Sequence, residues 1–489
     1  MSRSARYVAF PRVSLLVGIA LATFLQDFGS VSAEVKPPTN VLLITADDLN
    51  YDSLGVTGSS APKISPNLDR LASEGMLLTR AHVNIAVCQP CRQCLMTGRY
   101  PHRNGGIGFN PIRRDVSTLG ESLCEAGYFQ GIMAKVGHLA PQEKYCWDLV
   151  VPAADLANGR DPKLYNQHAA KFFAQAKQSG KPFFLMANAQ DPHRPFAGSD
   201  QEKSRRQGNE RKRRSGYPDA SRHYKPDEID VPKFLPDIPE VRREIAEYYT
   251  SVHRCDEVVG GVLKALDDAG HTEDTLVIFL SDHGMALPFA KTNCYHHSTH
   301  TPLIVRWPGV VQPNSKDETH FVSTIDLTPT ILAALGLAQI ERVDGRSFLP
   351  VLKGNKQEGR DCVFTMFHQT SGRRNYEMRA VNEARFGYIW NPWSDGEFVF
   401  RNESQNGRTM KAMREAASAD KQIAARVRLF LYRTPEELFN YHADPDGLNN
   451  LIGDQEHQEK LNELRTKLLE NMRATEDPLA EKFAEFIKR

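Results

Sequence analysis

The sequence predicts an α/β protein: a mostly parallel central sheet sandwiched by helices, followed by a smaller C-terminal α+β domain containing an antiparallel sheet. Three observations carry this. Val41-Leu42-Leu43-Ile44, Phe183-Phe184-Leu185-Met186 and Leu276-Val277-Ile278-Phe279-Leu280 are continuous apolar runs, as expected of strands buried on both faces. Helical patterns alternate with them from Asn40 to about Trp307. After about residue 370 the pattern shifts to short segments of mixed polarity.

Each element has a local cause. Ser65-Pro66 predicts a helix start and Gly75 its end. Thr118 and Glu121 make a capping-box pattern ahead of Leu123, and Gly127 stops that helix. Ile245, Tyr248, Tyr249, Val252, Cys255, Val259, Val262 and Leu266 recur at spacings of three and four, which predicts a long helix over 241–269 closed by Gly270. Leu303-Ile304-Val305 predicts a further short strand. In the C-terminal part, 378–390 and 397–401 read as strands of a sheet with one exposed face. Leu461, Leu464, Leu468 and Met472 predict a closing helix. The domain assignment is a signal peptide over 1–33, a catalytic α/β domain over 34–373 and the smaller domain over 374–489.

At 489 residues, with 40% hydrophobic and 25% charged residues, the chain suits a soluble globular protein rather than a disordered one. A net charge of +1 gives no reason to expect nucleic acid or membrane lipid as partner. Arg3, Arg6 and Arg12 precede an apolar run from Val13 to Leu25, and Val31-Ser32-Ala33 has the small residues of a cleavage site. The run is short for a membrane span, so export to the periplasm or outside the cell is expected, without a stable membrane anchor. Export permits disulfides, but eight cysteines in this length are too few for a disulfide scaffold. Cys255 falls on the apolar helix face, as a core residue would.

Two predicted strands end in acids: Asp47-Asp48 follows the first and Asp282-His283 the third. Ligands of open α/β sheets sit beyond the carboxyl ends of the strands, where carboxylates from two strands would converge on one hard cation. Between these pairs in sequence lies Cys88-Gln-Pro-Cys-Arg-Gln-Cys-Leu-Met-Thr-Gly-Arg99. Its three cysteines lack the fourth ligand an iron–sulfur cluster needs, and the second ligand pair of structural zinc. Pro90, with Arg92 to Met96 and Gly98 behind it, instead places Cys88 at a helix N-terminus, which presents backbone N–H groups to an anion.

The Cys88 motif resembles the sulfatase signature. Matching segments include the opening strand with its acids, Asp191-Pro192-His193-Arg194, Ser281-Asp282-His283-Gly284 and Glu437-Leu438-Phe439-Asn440. The chain is therefore identified as similar to type I sulfatases of the alkaline phosphatase-like superfamily. It looks most like the N-sulfoglucosamine sulfohydrolases, through Asp191-Pro-His-Arg, Val231-Pro-Lys-Phe-Leu-Pro-Asp237, Pro288-Phe289 and Thr292-Asn293.

The resemblance implies a sulfatase acting on a sulfated glycan, with N-sulfoglucosamine of heparan type as the expected substrate. O-sulfated polysaccharides, phosphate or phosphonate esters, and glycan binding without catalysis are the alternatives. It implies that a maturation enzyme converts Cys88 to formylglycine (3-oxoalanine). It also implies one calcium ion, held by Asp47, Asp48, Asp282, His283 and modified Cys88. Arg92 would hold the formylglycine, Lys135 and Lys291 would grip sulfate oxygens, His138 would act as base and His193 would protonate the leaving atom. A homodimer is compatible with it.

The sequence departs from the family pattern at Cys91 (commonly serine), in the extra residue of Lys135-Val-Gly-His138, and at His283 (often asparagine). It also departs at Lys291, where the mammalian N-sulfatase pattern has arginine.

Two features stay open at this level. His296, His297 and His300 fall in a predicted loop and do not spell a zinc-protease motif. The basic run over 203–214 reads as a solvated loop or as a rim that attracts a polyanion. Asn402-Glu403-Ser404 is the one glycosylation sequon, which argues against a heavily glycosylated lysosomal protein.

Overall fold

In the computed structural model β1 (Asn40–Asp47) lies at the middle of an eight-stranded sheet, with all eight residues buried. It pairs in parallel with β6 (Phe183–Pro192) on one side and β7 (Thr275–Ser281) on the other. Beyond β6 the parallel sheet continues through β4 (Phe129–Met133) and β5 (Leu149–Val151). Beyond β7, β8 (Leu303–Arg306) runs antiparallel, followed by β2 (Met76–Leu78) and β9 (Ser315–Asp317). The order is therefore β5-β4-β6-β1-β7-β8-β2-β9, and β3 (Ala81–His82) pairs separately with β10 (Val322–Ser323). The structure describes residues 40–206 and 216–489, together with Ala9. The expected signal peptide, apart from Ala9, and the basic run from residue 207 onward lie outside the described residues. Lys203, Arg205 and Arg206 of that run lie on the helix Asp200–Arg206.

Alternate residues of β1 divide between two apolar clusters. Leu42 and Ile44 join Val277, Phe279 and Leu185 on one face, while Val41 and Leu43 join Leu276, Ile278 and Phe184 on the other. This two-sided burial is why the strands read as unbroken apolar runs. The long helix Pro239–Asp268 lays Ile245, Tyr248, Val252, Cys255, Val259 and Leu266 into the first cluster. Helices Leu119–Glu125 and Leu327–Ala334 cover the second, and Thr118 and Glu121 form the expected capping box.

Helix Pro66–Ser73 starts where expected, but Ser65 does not cap it. The Ser65 hydroxyl accepts from the Gly55 N–H (2.8 Å) and donates to Asp69 (3.0 Å). The free N–H groups of Asn67 and Leu68 are instead taken by Asp256 of the long helix (3.1 and 2.8 Å), a partner that sequence-local rules do not reach.

The C-terminal sheet is antiparallel, in the order β11 (Cys362–Gln369), β12 (Asn375–Glu383), β13 (Phe386–Trp390), β14 (Glu436–Asn440). Two expectations are corrected. The 397–401 segment is not a strand. Phe398 and Phe400 pack against Tyr376 and Trp393 instead of entering a ladder, and β14 takes the edge next to β13. Nor does the sheet leave one face exposed. Met378, Ala380 and Ile389 face the main core, while Val381, Tyr388 and Trp390 are covered by Leu461, Leu464, Leu468 and Met472 of helix Gln458–Ala474.

Cys124 and Cys146 are joined by a disulfide across 22 residues, tying helix Leu119–Glu125 to the segment before β5. Closing a loop of that length stabilises the fold by about 3 kcal/mol through the unfolded chain. Cys146→Ser should lower the urea-derived unfolding free energy by roughly that amount; no loss would mean the bond does not form.

Candidate active site

Four adjacent strands deliver the site from their carboxyl ends. β1 ends in Asp47-Asp48, β7 in Asp282-His283, β6 runs into His193, and β4 is followed by Lys135 and His138. Asp48 has a positive φ of 71°, a backbone conformation unusual for a side-chain-bearing residue. It is held there by the Asp48 N–H donating to Asp282 (3.2 Å) and the Leu49 N–H donating to Ser281 Oγ (2.9 Å). Cys88 opens the helix Cys88–Thr97, as its proline and glycine predict, and Gly98 closes it at φ 63°.

These elements bring ligand atoms of Asp47, Asp48, Asp282 and His283 within 4.8 Å of one another, and likewise those of Asp47, Cys88 and His283. Three buried carboxylates at such range need matching positive charge. Lys135 pairs with Asp47, and Lys291 lies 2.8 Å from Asp48 and also pairs with Glu403. Arg92 donates to Asp282 (2.7 Å), Thr45 (2.5 Å) and Asn188 (2.6 Å). Asp47 Oδ1 and His283 Nε2 stay buried without a hydrogen-bond partner, while His283 Nδ1 lies 3.0 Å from the Gly284 carbonyl. The donor set is thus mostly carboxylate oxygen with one free imidazole nitrogen, which fits a hard divalent cation.

Burial and charge set the proton states. Burial pushes the Cys88 thiol up to about 12, so the unaltered side chain is not a thiolate at neutral pH. Burial brings Lys135 down to about 7. Burial, reinforced by Lys135 and Arg92, brings His138 down to about 2. His193 is lowered by burial and then by Lys291 and Lys135. Burial acts against the Lys291 charge, but Asp48 and Glu403 outweigh it and hold the ammonium above its usual range. Burial likewise opposes the Asp282 charge, and His283, Arg92 and Lys135 together hold the carboxyl below its ordinary value. Both histidines are therefore neutral. His193 Nδ1 sits 2.7 Å from the Arg194 carbonyl, which assigns its proton to Nδ1 and leaves Nε2 as the acceptor.

Five of these groups line one cavity of about 590 Å³. Cys88, Lys135, His138, His193 and Lys291 face it together with Gln190, Thr292, Asn402 and Glu403. Asp191 of the Asp-Pro-His-Arg motif is not in its lining. It is fully buried between Arg254 (2.6 Å) and Arg160 (2.9 Å), and Arg160 also holds the His193 carbonyl (2.8 Å).

Sequence reasoning missed Asn402 and Glu403 as site residues. Their one sequence signal, the sequon, points elsewhere: the Asn402 amide donates to Thr292 Oγ1 (2.6 Å) at the cavity wall and Ser404 is fully buried. Cys91 and Cys94 turn into the core rather than towards a shared metal.

His296 and His297 lie on a short helix, His296–Thr299, rather than in a loop. With His300 they line a different cavity of about 360 Å³, beside Tyr51, Asp52, Lys233 and Asp446.

The sulfatase family pattern matches residues 39–337, and a second, N-sulphoglucosamine sulphohydrolase, C-terminal, matches 282–427. The chain belongs to the sulfatase family, and the signature cysteine with its acids at two strand ends is where that membership meets the geometry. More particularly, it is 32% identical over 472 residues to human N-sulphoglucosamine sulphohydrolase, covering 90% of this chain and 91% of that one. It is 28% identical over 467 residues to an ulvan-active sulfatase of Formosa agariphila, covering 90% and 76%. A solved structure described as in complex with its substrate D-glucosamine-2-N,6-O-disulfate shares the fold at a TM-score of 0.66 and 17% identity, over 91% of this chain and 99% of that one.

The second histidine cluster makes a pH prediction. His82, His296 and His300 have ring centroids 4.6–5.3 Å apart, with Tyr51 stacked on His300 at 3.8 Å. Burial lowers all three, His300 to about 4. A histidine whose folded pKa lies below its unfolded value near 6.5 stabilises the fold above that pH, and this is lost as pH falls towards the folded pKa. The thermal midpoint should fall from pH 6.5 to about 4, and less steeply in His300→Gln. Equal slopes would show that these rings do not report the acid transition.

Proposed function

We propose that the protein is an exported, calcium-dependent sulfohydrolase that removes sulfate from N-sulfoglucosamine units of a heparan-type glycan, with Cys88 converted to formylglycine by a maturation enzyme. The observation that carries it is the Cys88 side chain: at the mouth of a helix, against Asp47 and His283, inside a cavity with two lysines and two neutral histidines. A thiol held near 12 by burial is a poor nucleophile there. A hydrated aldehyde at that carbon would supply the hydroxyl that attacks sulfur.

Asp47, Asp48, Asp282, His283 and the modified Cys88 would hold the calcium ion, since their atoms converge and Asp47 Oδ1 and His283 Nε2 lack partners. When bound, calcium would lower the pKa of that hydroxyl and neutralise sulfate charge. The chain's own residues do the rest. Lys135 and Lys291 bind sulfate oxygens at the point where negative charge gathers. His138 takes a proton from the nucleophile once bound sulfate offsets the Lys135 and Arg92 charges that add to burial in disfavouring its cation. His193, its Nδ1–H held on the Arg194 carbonyl, takes up a proton on Nε2 once bound sulfate offsets the charges of Lys291 and Lys135, and hands it from there to the leaving atom. Arg92 keeps Asp282, Thr45 and Asn188 in register behind the site. Export rests on the basic and apolar pattern of the first 33 residues.

Similarity to an ulvan-active sulfatase favours a second reading, an O-sulfatase on another polysaccharide. Sulfate release from N-sulfoglucosamine, glucosamine 6-sulfate and an aryl phosphate separates these. The proposed activity predicts the first to be fastest by roughly tenfold or more, abolished in Cys88→Ala, lost with EGTA and restored by calcium. A preference for the 6-sulfate or the phosphate, or activity that survives both treatments, contradicts it. Binding of the glycan with no sulfate release in either form would mark a binder.

A further inference from the structure

We infer that Glu403 is a specificity-determining residue that binds the amine released from a sulfamate, and so biases the site towards N-sulfate over O-sulfate. The inference rests on the N-sulfoglucosamine reading above and deepens it.

Glu403 opens the short helical turn Glu403–Asn406, and among the described residues it is the one carboxylate side chain in the lining of the Cys88 cavity. The three acids beside it, Asp47, Asp48 and Asp282, belong to the cation cluster and are not part of that lining. One oxygen of Glu403 pairs with Lys291, and the carboxylate beside an anion pocket favours a ligand that also carries a cationic or hydrogen-donating group.

Its position says where that feature lies. Carboxylate oxygens of Glu403 and Asp48 and a ring nitrogen of His193 lie within 4.8 Å of one another. His193 is the residue that faces the leaving atom, so Glu403 stands beside the leaving atom too. Next to it, Asn402 Oδ1 is buried without a hydrogen-bond partner, while the Asn402 amide is committed to Thr292. This wall of the cavity therefore offers acceptors, and Lys135 and Lys291 offer donors to the sulfate.

The two substrate classes differ at this wall. Sulfamate hydrolysis is R–NH–SO3⁻ + H2O → R–NH3⁺ + SO4²⁻. The S–N bond breaks, sulfur gains the water oxygen, the S–N electron pair stays on nitrogen, and nitrogen takes both water protons. The product carries a charge and three N–H donors. An ester gives R–OH, neutral with one donor. A carboxylate with an amide oxygen matches the first product.

The test uses the full-length mature protein, Glu403→Gln and Glu403→Asp, with two readouts. In the first, glucosamine and N-acetylglucosamine are titrated at pH 6.5. The wild type should prefer glucosamine by roughly tenfold, Glu403→Gln should lose that preference, and Glu403→Asp should keep part of it. In the second, Glu403→Gln should cut kcat/KM for N-sulfoglucosamine roughly tenfold further than for an aryl sulfate. No glucosamine preference in the wild type, a preference unchanged in Glu403→Gln, or equal losses on both substrates would overturn the inference. Equal losses would mean that Glu403 only positions Lys291. Absence of N-sulfoglucosamine turnover in a wild type that cleaves O-sulfates would instead overturn the reading it rests on, and the glucosamine titration still decides the role of Glu403.

Discussion

Three carboxylates, Asp47, Asp48 and Asp282, are fixed side by side in the interior at the ends of two paired parallel strands, and the site is built around their mutual repulsion. Without positive partners they would take up protons or destabilise the carboxyl ends of these central strands. The fold instead surrounds them with Lys135, Lys291 and Arg92, brought by three separate segments. The positive φ at Asp48 is retained because backbone and side-chain bonds from β7 over-determine it. A divalent cation placed among the acids would release the lysines to bind an anion, as the proposed sulfate chemistry requires.

The same crowding explains the proton states. The lysines that neutralise the acids lie close to His138 and His193, and with burial they keep both rings uncharged. A neutral imidazole that takes up a proton becomes a cation, so beside these lysines either ring gains a proton only when a bound anion offsets their charge. Burial acts on Cys88 in the same sense: it favours the neutral thiol over the thiolate, which is consistent with the proposed conversion of this side chain.

Much of this was legible in the sequence because the information is local. Strands buried on both faces must be apolar throughout, so β1, β6 and β7 stood out, and the acids that end them marked the ligand edge. Cys88 at a helix start followed from Pro90 and Gly98. What stayed hidden depends on distant segments meeting. Glu403 joins the cavity from beyond the C-terminal hairpins and looks like part of a sequon. Asp256 caps a helix that Ser65 was expected to cap. The 397–401 segment alternates like a strand, yet its phenylalanines fill an aromatic cluster because β14 occupies the neighbouring edge. Asp191 sits in a motif that reads as catalytic but is spent on two buried arginines.

Everything proposed for the site turns on Cys88 acting as an aldehyde and not as a thiol. Peptide mass spectrometry of the protein co-produced with a formylglycine-generating enzyme addresses it directly. The peptide spanning Cys88 should have lost its sulfur and should react with a hydrazide probe, in proportion to sulfate-releasing activity. An active preparation in which that peptide keeps an intact thiol would contradict it.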